Sequence, residues 1–158
     1  MSQITIQEAF DKYRSDFIIM SNQSNKTEQA YANTCLLLIR YMGNIKVTSI
    51  TFEMIRDWKN WMAEWQQPNT IRGNIICLRM VLKFLLVRDE DCINYDRIPV
   101  PKRQKRTVKY LKLDEVIEFI SLIGRSARGY KIISKVRNKS IAATIFATGL
   151  RVSELCAL

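Results

Sequence analysis

Histidine is absent from these 158 residues, and glycine (five) and proline (three) are scarce. With no histidine, and with Cys35, Cys77, Cys92 and Cys156 too dispersed to form a ligand set, a zinc finger is excluded and no metal is expected. So few turn residues argue against turn-rich β structure and for helices. No uninterrupted apolar run of roughly 18 residues exists, which leaves no candidate membrane span. The opening residues Met1, Ser2, Gln3, Ile4 and Thr5 offer neither the basic stretch nor the apolar core of a signal peptide. The expectation is a cytoplasmic protein with no membrane partner. Its four cysteines are expected to be reduced and structural, Cys35 and Cys77 lying in apolar helical runs.

Positive charge is abundant. Lysine and arginine number 25 against 15 aspartates and glutamates, a net charge of +10. A field of that sign attracts polyanions, and nucleic acid is the partner it points to. The alternative is a basic protein whose charge serves solubility.

Apolar spacing marks four helices in the first half. Residues 5–20 carry Ile6, Phe10, Tyr13 and Phe17 at steps of three and four. Residues 26–42 carry Tyr31, Cys35, Leu38 and Tyr41, with Ser24 or Asn25 as N-cap and Gly43 as stop. A third helix starts near Thr51 and runs through Met54, Ile55, Trp58, Trp61, Met62 and Trp65 towards Pro68. Its tryptophans form a stripe expected to pack in a core. The fourth is expected to open on Asn69 or Thr70 and to reach Val87 through Ile71, Ile75, Leu78, Leu82, Leu85 and Leu86. Four amphipathic helices joined by short loops predict a compact bundle over residues 1–88.

The texture changes after the acidic cluster Asp89, Glu90 and Asp91. Pro99 and Pro101 impose an extended backbone, and residues 97–112 hold seven basic side chains and no acidic one. Residues 89–110 are expected to be a basic linker, either solvated or lying along a phosphate backbone. Beyond it, residues 112–123 and 137–148 predict two more helices, with Asp114 and Glu115 in the first turn of one and Gly149 ending the other.

Ala147, Thr148, Gly149, Leu150 and Arg151, followed by Ser153, Glu154, Leu155 and Leu158, closely resemble the A-T-G-L-R-x-S-E-L-x-x-L signature of tyrosine recombinases of the phage-integrase type. Leu111, Asp114, Glu115 and Val116 are similar to the L-T-x-E-E-V opening of that family's catalytic domain, with Lys112 in the place of the threonine. Residues 27–41 and 69–86 resemble helices of its core-binding domain. The resemblance implies an all-α chain: a small four-helix core-binding (SAM-like) bundle, a basic linker, and over residues 111–158 the first helices of a truncated, mostly α catalytic domain.

The same resemblance implies double-stranded DNA as partner, self-association of the kind by which the family assembles as tetramers on DNA, and a mobile element as the setting. The bundle and the catalytic domain of such enzymes clamp opposite faces of the duplex. Strands are broken and rejoined through a 3′-phosphotyrosyl link, so no cofactor is needed. Arg151 matches the first catalytic arginine and Glu154 an acidic position that supports it. Read from spacing alone, Arg151 and Glu154 are better taken as a surface ion pair, and it is the full signature that reverses that preference. The family's nucleophilic tyrosine and His-x-x-Arg motif lie downstream of the arginine signature. Tyr13, Tyr31, Tyr41, Tyr95, Tyr110 and Tyr130 all precede it here, so this chain is expected to bind DNA without cutting it. Candidate DNA contacts are Lys26, Arg72, Arg79 and Lys83 on the bundle and Lys102, Arg103, Lys105 and Arg106 in the linker, against the alternative of a solvated polar face. Two rival functions remain open at this point: a naturally shortened, non-catalytic regulator of recombination, and a helical protein–protein module.

Overall fold

A computed structural model describes residues 4–105, 107, 110–123 and 132–157. The chain divides into two compact units, Met1–Lys105 and Arg106–Leu158. Among the described residues the regular structure is helical, as expected, and the one β-type contact is an isolated antiparallel bridge between Thr5 and Lys46.

The first unit holds helices α1 (Ile6–Tyr13), α2 (Asn25–Met42), α3 (Phe52–Ala63) and α4 (Pro68–Val87). Thr5 caps α1 through a reciprocal pair: its hydroxyl accepts from the Glu8 N–H, and the Glu8 carboxylate accepts from the Thr5 N–H at 2.8 Å. Those hydrogen bonds hold the exposed Glu8 carboxyl below its ordinary value. Ser24 caps α2, Gly43 ends it with φ of +80°, and Thr51 caps α3, each at the expected boundary. Ile6, Phe10, Leu38, Ile55, Trp58, Met62 and the α4 stripe Ile71, Ile75, Leu78, Val81, Leu82 and Leu85 converge in one core.

Three local expectations change. After Tyr13 the first helix widens into a π-turn, Arg14–Ile19. A step of five residues replaces the step of four, so the residue buried after Tyr13 is Ile18, while Phe17 is half-exposed and stacks on Tyr13 at 5.2 Å. The tryptophan stripe is graded: Trp58 is fully buried, Trp61 packs at the core edge, and Trp65, two residues past the end of α3, is 53% exposed. Helix α4 starts at Pro68 with Gln67 as N-cap. Proline suits that first position because its missing N–H would have no helical partner, and Asn69 is left free for another task.

Residues 89–105, expected to belong to a linker, count with the first unit. A 3₁₀ turn, Tyr95–Arg97, leads into Ile98, which is 1% exposed and part of the core. Lys12–Glu90 at 3.4 Å and Arg88–Asp16 at 2.5 Å tie the start of this segment to the first helix and its π-turn.

The second unit contains α5 (Leu113–Leu122), α6 (Ile132–Thr148) and the short α7 (Val152–Leu155). Helix α5 packs on α6. Val116 is buried, whereas Leu113, Ile117, Phe119, Leu122, Ile132, Ile133, Val136 and Phe146 are exposed. No helix among the described residues is long and apolar enough to cross a membrane.

Candidate nucleic-acid interface

The candidate residues fall at two places, one in each unit. The first is built on α4 and the segment that follows it. Lys102, Arg103 and Lys105 are exposed, and Arg106 lies outside the described residues. The backbone carrying them is fastened at Gln104: its N–H donates to the Asn69 Oδ1 at 3.0 Å, and its carbonyl accepts from the Asn69 Nδ2 at 3.0 Å. One turn along α4, Arg72 is half-buried, with its Nε buried and without a hydrogen-bond partner. Lys26 is exposed in the first turn of α2, where a cation gains nothing from the helix dipole.

Arg79 and Lys83 also make contacts within the first unit. Arg79 donates to the Ile98 carbonyl and pairs with Asp96 at 3.4 Å. Its guanidinium also lies over the Tyr95 ring at 5.6 Å, and the Lys83 ammonium lies over the same ring at 5.9 Å. Both cations therefore hold the returning chain onto α4. The reason was invisible locally, because Ile98 and Asp96 sit 19 and 17 residues away from Arg79. Asn69 and Tyr95 were missed for the same reason.

The second group is at the end of α6. Gly149, with φ of +69°, turns the chain out of that helix, and its N–H still donates to the Ile145 carbonyl at 2.9 Å. Two residues later Arg151 occupies the N-cap position of α7. Arginine has no acceptor to cap with, so Glu154 supplies the cap from inside the helix. Its carboxylate accepts from the Arg151 N–H at 2.8 Å and from the Arg151 Nη1 at 3.0 Å. The expected i, i+3 pair is thus formed, and the Arg151 side chain remains 83% exposed with guanidinium N–H groups beyond that single contact. Lys112 and Glu115 repeat the backbone half of this arrangement at α5, at 2.6 Å.

All four cysteines are free. Burial pushes the Cys35 and Cys92 thiols up to about 11, as expected of inert side chains, but Cys156 is exposed. No group of three or more Cys, Asp or Glu residues among those described could hold a metal ion.

No protein-family model matches the chain, and no solved structure matches it. Among curated proteins it is similar to the tyrosine recombinase XerC of Rickettsia typhi, 28% identical over 167 residues, which is 98% of this chain and 53% of that protein. The tyrosine recombinase XerC of Rickettsia prowazekii is 28% identical over 166 residues, with the same two shares. That of Rickettsia canadensis is 28% identical over 165 residues, again with 98% and 53% covered. The chain spans about half the length of the curated relatives it matches.

Proposed function

We propose that the chain is part of a tyrosine recombinase, which it resembles along 98% of its length, and that its residues grip duplex DNA for site-specific strand exchange, with Arg151 facing the phosphate to be attacked. The observation that carries this reading is the geometry of Arg151: an exposed guanidinium at the start of a helix, aimed by the left-handed Gly149 and braced by Glu154. A guanidinium offers a phosphate two parallel hydrogen bonds and keeps its charge at any physiological pH. Charge that develops on the non-bridging oxygens during phosphoryl transfer is what such a donor stabilises. Glu154 fixes the backbone from which Arg151 springs, and its single contact with the side chain leaves the other N–H groups for the anion.

In this reading the first unit and its basic segment supply sequence-independent grip. Lys102, Arg103, Lys105 and Arg106 neutralise phosphates, which fixes register without reading bases. Helix α4 contributes Arg72, and α2 contributes Lys26.

Affinity for a duplex measured against salt concentration tests the reading. Replacing Lys102, Arg103, Lys105 and Arg106 with alanine should flatten the slope of log affinity against log salt by roughly 2 to 4 units. The loss should be nearly equal on any sequence. An unchanged slope, or no measurable duplex binding by the parent chain, refutes the proposal.

A further inference from the structure

The basic segment does not leave the first unit as a loose tether. Its contacts step backwards along α4 in order. The Cys92 Sγ donates to the Leu82 carbonyl at 3.5 Å. Tyr95 lies beneath Arg79 and Lys83, and the Ile98 carbonyl accepts from Arg79. Gln104 then meets Asn69 at the first turn of the helix. As the segment advances from 92 through 98 to 104, its partners recede from 82 through 79 to 69. It is an antiparallel strap on α4, anchored in the core by Ile98.

The last fastening has the most bearing on DNA. A primary amide presents a donor and an acceptor side by side, and the N–H and C=O of a single residue offer the complementary pair. Asn69 uses both on Gln104, at 3.0 Å each. Gln104 is flanked by Arg103 and Lys105, so the two bonds fix the backbone from which those cations project. Neither Asn69 nor Gln104 is charged, and neither belongs to the first unit's core.

Resting on the duplex-DNA reading above, we infer that Asn69 is a positioning residue: with Arg79 it holds the strap on α4 so that Lys102, Arg103 and Lys105 meet the phosphate backbone already ordered. A cation whose backbone is fixed before contact loses less freedom on binding than one on a free tether. The fastening therefore adds affinity without adding charge.

The test uses charge-neutral variants of the whole chain, Asn69→Ala and Asn69→Leu, the second close to asparagine in size but without its donor and acceptor. Two quantities are read: the rate of trypsin cleavage after Lys102 and Arg103 without DNA, and the dissociation constant for a duplex across a salt series. Both variants should be cleaved about tenfold faster and bind about three- to tenfold more weakly, the range expected for losing the order of one or two long side chains. The salt slope should stay at the parent value, because the same cations still displace counterions. The thermal midpoint should also hold, which separates positioning from loss of fold. Unchanged cleavage, or faster cleavage with unchanged affinity, overturns the inference. If the parent chain binds no duplex, the DNA reading itself fails and takes this inference with it. The cleavage contrast would then still report whether the strap is fastened.

Discussion

Helices α4 and α6 are similar in length, 20 and 17 residues, and both are rich in isoleucine, yet they keep very different company. Helix α4 buries Ile71, Ile75, Leu78, Val81, Leu82 and Leu85, whereas α6 has no buried residue among those described. The cause is arrangement. On α4 the apolar positions follow one stripe, which three other helices and Ile98 can cover together. On α6, Ile132, Ile133, Val136, Ile141 and Phe146 ring the axis, a pattern that needs neighbours on several sides. The second unit offers α6 mainly α5, whose own Ile117, Phe119 and Leu122 are exposed. Apolar content alone does not make a core; the angular spread of that content decides how many partners it needs.

The sharpest way to break this contrast is to remove one large side chain from each unit. Trp58→Ala should cost about 3–5 kcal/mol, because the ring is fully buried and its loss leaves a cavity. Phe119→Ala, at an exposed site, should change stability by about 0.5 kcal/mol or less. Urea unfolding of the two variants measures both, and comparable losses would show that the second unit is as well packed as the first.

Thiol chemistry gives a smaller, independent measure. At pH 8, iodoacetamide should label the exposed Cys156 first. Cys35 and Cys92, whose thiols burial holds at about 11, should react about a hundredfold more slowly or less, since the thiolate is the nucleophile. Mass analysis of the labelled peptides decides the order. Equal rates at Cys35 and Cys156 would mean that the first unit opens as readily as the second.

The smallest effect concerns helix starts. In the first unit Thr5 and Glu8 exchange hydrogen bonds, but at α5 the equivalent position is Lys112, which can accept nothing. Lys112→Thr should complete the reciprocal cap and stabilise α5 by about 0.5–1 kcal/mol. Amide exchange of α5 should slow accordingly, and unchanged exchange would show that Glu115 alone already holds that end.

Legibility in the sequence followed distance along the chain. Ser24, Gly43, Thr51 and Gly149 act within a turn of their own position, and their places as caps and stops were readable. The all-α class followed from apolar spacing and scarce turn residues. Arg151 was found through a motif, and its pairing with Glu154 through an i, i+3 step. What escaped depended on partners far away. Arg79 reads as a free surface cation until Ile98 is brought to it, and Asn69 reads as a helix cap until Gln104, 35 residues on, arrives beside it. Phe17 and Ile18 exchanged roles because a single π-turn moves the helix register by one residue, and spacing in multiples of 3.6 cannot register that.

The strap on α4 also has a mechanical meaning. Its contacts are ordered end to end and run opposite to the helix, so tension applied beyond Lys105 reaches them one at a time. The Asn69 bonds carry the load first, then Arg79 at Ile98, and only then the Leu82 carbonyl at Cys92. Pulled away from the helix, a chain fastened in this way would peel contact by contact. Each step lengthens the free segment while the α1–α4 core stays intact. Asn69 is thus the first fastening that tension beyond Lys105 would meet, ahead of any contact in the α1–α4 core.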